Sequence, residues 1–142
     1  MGKKRIVAKG ETESAGGASR GTAAKKRLLN RAVLYVDSTY NNTRLTLTDE
    51  KGNVVAFSSS GALGFQGAKK GTPFAAAKVG EAIAAKAQAM GVRDVSVVVK
   101  GVGSGRESSI RGFINKGFSI TSIKDATPVP HNGPRPPRAR RV

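Results

Sequence analysis

Three runs decide how this chain folds: Ala32-Val33-Leu34-Tyr35-Val36, Thr43-Arg44-Leu45-Thr46-Leu47-Thr48 and Val54-Val55-Ala56-Phe57. The first is nearly all apolar, as a central strand should be. The second alternates, which marks a half-buried strand. Between the second and third lies Asp49-Glu50-Lys51-Gly52-Asn53, a turn composition. Short connections make the three an antiparallel meander.

Downstream the pattern changes. Gly61 to Gly71 reads as a long Gly-rich loop carrying Lys69 and Lys70. Thr72-Pro73 then opens a helix, with Thr72 as N-cap and Pro73 at the first helical position. Phe74, Ala77, Ile83, Ala84 and Ala87 form its apolar stripe, and Gly91 stops it. Val95 to Val99 is a fourth strand, and Gly101 to Gly105 a second glycine loop. Glu107 to Asn115 is a short helix with Ile110, Phe113 and Ile114 inward, stopped by Gly117. Phe118 to Ile123 is the fifth strand. The order is βββαβαβ, an α/β class with a mixed five-stranded sheet.

Connectivity orients the pieces. If strand one runs up, hairpins send strand two down and strand three up. Each helix returns the chain, so strands four and five run up. The simplest sheet order is 3-2-1-4-5, with strand two antiparallel. Right-handed crossovers put both helices on one face. Val95, Val97 and Val99 suit that covered face, while Thr46, Ser96 and Thr121 suit a lightly covered one. Ser38 to Asn42, both glycine loops and the tail from Ala126 all emerge at the carboxyl edge. Open α/β sheets place their ligands there.

Charge says what the ligand is. The chain holds 25 Lys and Arg against 9 Asp and Glu, a net charge of +16. A surplus this large calls for a polyanionic partner, nucleic acid before an anionic membrane. Residues 1–31 carry +7, residues 32–127 carry +5 and residues 128–142 carry +4. We read 1–31 as a basic extension, 32–127 as a nucleic-acid-binding α/β domain, and 128–142 as a Pro/Arg-rich tail. Gly, Ser and Ala between Glu11 and Gly21 cannot offset the entropy of ordering, so the arm is expected to be disordered when free. Prolines hold the tail extended, and Arg135, Arg138, Arg140 and Arg141 project from it. A solvated charge run is the plainer alternative for both ends.

Several chemistries are set aside. There is no cysteine, hence no disulfide framework or thiolate metal site. A single histidine, His131, argues against a histidine zinc centre. No apolar run approaches the ~18 residues of a membrane span, no basic amphipathic helix suits a membrane surface, and Met1 to Gly10 lacks a secretory apolar stretch. A cytoplasmic protein is expected. Sheets of this order also occur in nucleases of the ribonuclease H type, which gather carboxylates around metal ions. Here Asp37 ends an up strand while Asp94 begins one, roughly 20 Å apart at about 3.3 Å per residue. Glu81 is mid-helix. They do not converge, so no catalytic residue, metal or cofactor is assigned. In Gly101-Val102-Gly103-Ser104-Gly105-Arg106 the first two glycines fit a dinucleotide fingerprint but no correctly spaced third follows, and there is no Gly-Lys-Ser/Thr. No small-molecule substrate is expected.

The glycine loops read instead as anion sites. Glycine lets backbone N–H groups approach a phosphate, and a helix N-terminus adds partial positive charge. Lys69, Lys70, Arg106 and Arg111 are the expected cationic contacts of the body, with Asn41 and Asn42 as polar ones. Gly103 and Gly105 are expected to admit phosphate. Two alternatives stay open: glycines that merely close a tight turn, and Arg111 on a solvated helix face. His131 and Asn132 stand at the base of the tail, where Asn-Gly favours a turn. His131 is read as a stacking or hydrogen-bonding nucleic-acid contact, against simple exposure. Few aromatics argue against a platform for single strands.

These residues carry a resemblance. Asn41-Asn42-Thr43, Gly64-Phe65-Gln66-Gly67, Thr72-Pro73-Phe74-Ala75-Ala76, Gly105-Arg106-Glu107, Ile110-Arg111 and Asp125-Ala126-Thr127-Pro128-Val129-Pro130-His131-Asn132-Gly133 recur in order. Residues 31–142 thereby resemble the small-subunit ribosomal protein S-eleven family, in its bacterial form. The resemblance implies a ribonuclease-H-like fold used as a binding scaffold. It implies a place on the platform of the small ribosomal subunit, bridging helices of its RNA near the messenger exit, or Shine-Dalgarno, cleft. It also implies S-six, S-eighteen and S-seven as neighbours.

Overall fold

A computed structural model of the chain describes residues 28–139. The expected N-terminal extension up to residue 27, and Arg140 and Arg141, lie outside the described residues. Five strands form one sheet: β1 (Arg31–Ser38), β2 (Thr43–Thr48), β3 (Val54–Ser59), β4 (Asp94–Lys100) and β5 (Ser119–Asp125). Two helices, α1 (Pro73–Ala89) and α2 (Gly105–Ile114), fill the crossovers. The sheet order is β3-β2-β1-β4-β5. β2 is antiparallel to β1 and β3, while β1, β4 and β5 are parallel. This is the mixed α/β sheet expected from the residues and from the resemblance.

Alternation builds the core. Leu34 lies opposite Leu47 and Val97, and Val36 opposite Leu45 and Val99. All six are buried beneath the helices. Val79 and Ile83 of α1 and Phe113 of α2 close the layer, and Phe113 stacks on Phe118 at 4.3 Å between centroids. Each such side chain contributes about 1.5–3 kcal/mol on burial. The helices meet through small residues. A Cβ at Gly80 would lie 2.3 Å from the Ser109 carbonyl oxygen, and one at Gly112 2.5 Å from that of Ala77. Glycine at both positions lets the backbones close onto each other.

Some expectations need correction. Phe74 does not join the inward stripe of α1 and is 66% exposed. Ala75, Ala76, Val79, Gly80, Ile83, Ala84 and Ala87 take that stripe, and the helical phase leaves Phe74 beside it. Phe74 instead meets Phe65 edge-on at 6.1 Å, with the Lys78 ammonium 5.8 Å from its ring centre. Ile114 ends α2 facing outward, 39% exposed. The first glycine loop is not wholly irregular, because Gly67–Gly71 winds into a 3-10 turn. Helix α2 begins at Gly105, two residues before the expected Glu107.

Candidate nucleic-acid interface

Four segments meet at the carboxyl edge of the sheet. The turn after β1 is tied within itself: the Thr39 N–H donates to the Asn42 carbonyl at 2.9 Å, and the Asn42 N–H to Thr39 Oγ1 at 3.1 Å. The segment after β3 ends at Thr72, whose hydroxyl oxygen accepts from the Ala75 N–H at 3.3 Å and donates to the Lys69 carbonyl at 2.7 Å. Thr72 therefore caps α1 and fixes the lysine-bearing turn with one side chain. The loop after β4 is clamped on both sides. Gly103 N–H donates to the Ser38 carbonyl at 2.9 Å, and Ser104 Oγ to the Gly71 carbonyl at 2.8 Å.

The fourth segment, the tail, is held by a polar clasp. Arg106 Nη2 donates to Asp125 Oδ2 at 2.6 Å, and Arg106 Nη1 to the Gly101 carbonyl at 2.5 Å. Asp125 Oδ1 accepts from Thr127 N–H at 2.9 Å and from Thr127 Oγ1 at 2.6 Å. The Thr127 hydroxyl in turn receives the Gly101 N–H at 3.2 Å. The Arg106 side chain, then both Thr127 donors, hold the Asp125 carboxyl well below the usual carboxylate range. One arginine thus joins the second glycine loop to the start of the tail.

The described site residues fall into four groups. Asn41, Lys69, His131, Asn132, Arg135 and Arg138 are exposed, and Asn42 and Lys70 half-buried, along the rim and tail. Asn132 has φ +55°, the left-handed turn conformation that asparagine tolerates. Arg111 points outward on α2, its guanidinium 3.4 Å from Glu107 Oε2, with both side chains mostly exposed. Arg106 differs from expectation, because its guanidinium is engaged with the chain itself. Gly103 and Gly105 are buried. A Cβ at Gly103 would lie 2.2 Å from the Thr39 carbonyl oxygen, and one at Gly105 2.4 Å from Thr43 Oγ1. The space beside both Cα atoms is therefore filled by the chain itself. At the start of α2 the N-cap Ser104 makes no side-chain cap, since its hydroxyl is spent on Gly71.

Sequence reasoning missed the clasp. Its signal was Asp125-Ala126-Thr127, since Asp two residues before Thr forms a side-chain-closed turn. Ser104 and Ser38 were also missed. Neither carries a local pattern, and each acts on a segment remote in the chain.

Fold and edge together define a basic α/β binding scaffold: a rigid sheet that gathers lysines, asparagines and an arginine-bearing tail on one rim. Residues 32–141 match the family model for Ribosomal protein S11. The chain belongs to that family, and so is a small-subunit ribosomal protein that binds ribosomal RNA and serves as a structural constituent of the ribosome. The family is structural rather than enzymatic. Among the described residues no helix is long and apolar enough to cross a membrane.

Proposed function

We propose that the rim bridges helices of small-subunit ribosomal RNA on the platform, near the messenger exit cleft. S-six, S-eighteen and S-seven are its neighbours, and the cytoplasmic ribosome is its location. Residues 32–127 act as the binding body, with 1–31 and 128–142 as basic extensions that reach into the RNA. Lys69, Lys70 and Arg111 meet phosphates, and Asn41 and Asn42 meet sugar or base edges. His131, Asn132, Arg135, Arg138, Arg140 and Arg141 carry the tail contacts. The α2 N-terminus at Gly105 and Arg106 supplies backbone donors, Gly103 shapes the loop that presents them through its own bond to the Ser38 carbonyl, and Arg106 adds its charge while holding the tail in place.

The observation that carries this reading is the convergence of four segments on one edge, with the tail clasped there by Arg106 and Asp125. Contacts of this kind read phosphate position and RNA shape more than sequence. Crosslinking of the full chain within assembled small subunits tests it. Platform RNA crosslinked to Lys69, Lys70 and the tail is the expected result. Crosslinks confined to the outer surface of α1 would overturn it.

A further inference from the structure

The sheet face turned away from the helices carries a second arrangement. One cross-strand row runs Phe57, Thr46, Tyr35, Val98, Lys124 over all five strands. Phe57 is 67% exposed and Tyr35 43%. Neighbouring strands lie about 4.8 Å apart, so the two aromatic residues stand roughly 10 Å apart along the row. Only the small Thr46 separates them. The next row, toward the carboxyl edge, runs Ser59, Arg44, Asp37, Lys100. A groove of about 450 Å³ opens across both rows, walled by Tyr35, Asp37, Arg44, Thr46, Val98 and Lys100.

We propose that this open face binds a second, unpaired segment of RNA. Its bases stack on Tyr35 and Phe57, and its phosphates lie against Arg44, Lys100 and Lys124. Two exposed rings on a rigid sheet are an entropically cheap stacking surface, because the strands already hold them apart at a set distance. Across the two rows three cations face one carboxylate, Asp37, so the surroundings favour a polyanion. A protein partner would be met by several aliphatic side chains around the rings, whereas here Val98 is the one aliphatic residue in the two rows, beside Arg44, Thr46, Lys100 and Lys124. Aromatic residues are few in the chain, and the fold brings two of them onto one row of one face. The inference draws on the family's RNA binding but not on the rim.

The test uses the full chain at moderate salt with two probes: a labelled single-stranded oligoadenylate of about twelve nucleotides, and an RNA duplex of equal length. Tyr35→Val with Phe57→Thr removes both rings and keeps strand-compatible residues. Tyr35→Phe with Phe57→Tyr keeps both rings. The ringless variant is expected to lose about tenfold or more in single-strand affinity, with duplex affinity unchanged. The ring-keeping variant is expected to bind like the parent. In the unaltered protein the Tyr35 ring protons should shift upfield on adding oligoadenylate, a readout that needs no substitution. Lys69→Ala with Lys70→Ala should weaken the duplex and leave that shift intact, so failure of the rim and failure of the face are distinguishable. Equal losses on both probes, no loss, or an unmoved Tyr35 signal would overturn the proposal. So would Tyr35 signals that respond only to RNA-free small-subunit proteins, which would assign the face to a protein.

Discussion

Arg106 and Asp125 are joined at 2.6 Å between the first turn of α2 and the last residue of β5. The pair sits where the glycine loop, the helix start and the tail meet. Asp125 is not buried, so the clasp's value is positional: it sets where the tail leaves the body.

That pairing makes the tail base sensitive to acid. The Asp125 carboxyl is held below its ordinary value of 3.8. A depressed carboxyl contributes in full above its unfolded value, and the contribution fades as pH falls below it. Amide-exchange protection of Thr127 should therefore be constant from neutral pH to about pH 4 and decline in stronger acid. Asp125→Asn should lower that protection already at neutral pH and flatten the acid dependence. Equal protection of Thr127 in parent and variant across the range would show that the clasp does not hold the tail.

The packing glycines should behave as fold residues first. Gly103→Val drives a side chain into the Thr39 carbonyl, and Gly80→Ala drives one into the Ser109 carbonyl. Overpacking of this kind costs about 1–3 kcal/mol. For a domain of this size, each kcal/mol lowers the melting temperature by roughly 3–6 °C. Gly80→Ala lies away from the rim and should melt early yet bind RNA normally when folded. Gly103→Val should lose stability and binding together. A Gly103→Val protein that melts like the parent but fails to bind would instead assign Gly103 to direct phosphate approach.

Lysines of the 3-10 turn should act through charge alone. Both sit in its last turn, and the cap at Thr72 uses the Lys69 carbonyl rather than its ammonium. Lys69→Ala with Lys70→Ala should leave the melting temperature unchanged. The slope of log affinity against log salt should fall by roughly 0.7–0.9 for each phosphate that the lysines no longer neutralise. An unchanged slope removes this turn from the interface.

Truncation after Thr127 keeps the clasp and deletes the cationic tail. The shortened chain should fold and remain soluble, because residues 128–139 contribute nothing to the buried core. It should enter small subunits poorly at moderate salt. Incorporation equal to that of the full chain would make the tail a solvated charge run.

What the chain's sequence determined by itself was local. Alternation in Thr43–Thr48, the Thr72-Pro73 start, the turn at Asp49 to Asn53 and the crowding of charge in the tail are each legible from near neighbours. Backbone sterics, capping and periodicity act over a few residues. With short loops and right-handed crossovers they also imply the sheet order. Tertiary structure decided the rest. Nothing local says that Phe74 and Ile114 stay outside, since helical phase against the sheet selects Ala75 and Val79 instead. Nothing local turns Arg106 inward, because its partner Asp125 is nineteen residues away and arrives only when β5 pairs with β4. Gly80 and Gly103 read as ordinary glycines until α2 and the β1 turn close on them. Tyr35 and Phe57 share a row only because two antiparallel registers, β1 with β2 and β2 with β3, align them through Thr46. Contacts between distant segments depend on register and crossing geometry, and those exist only once the sheet has formed.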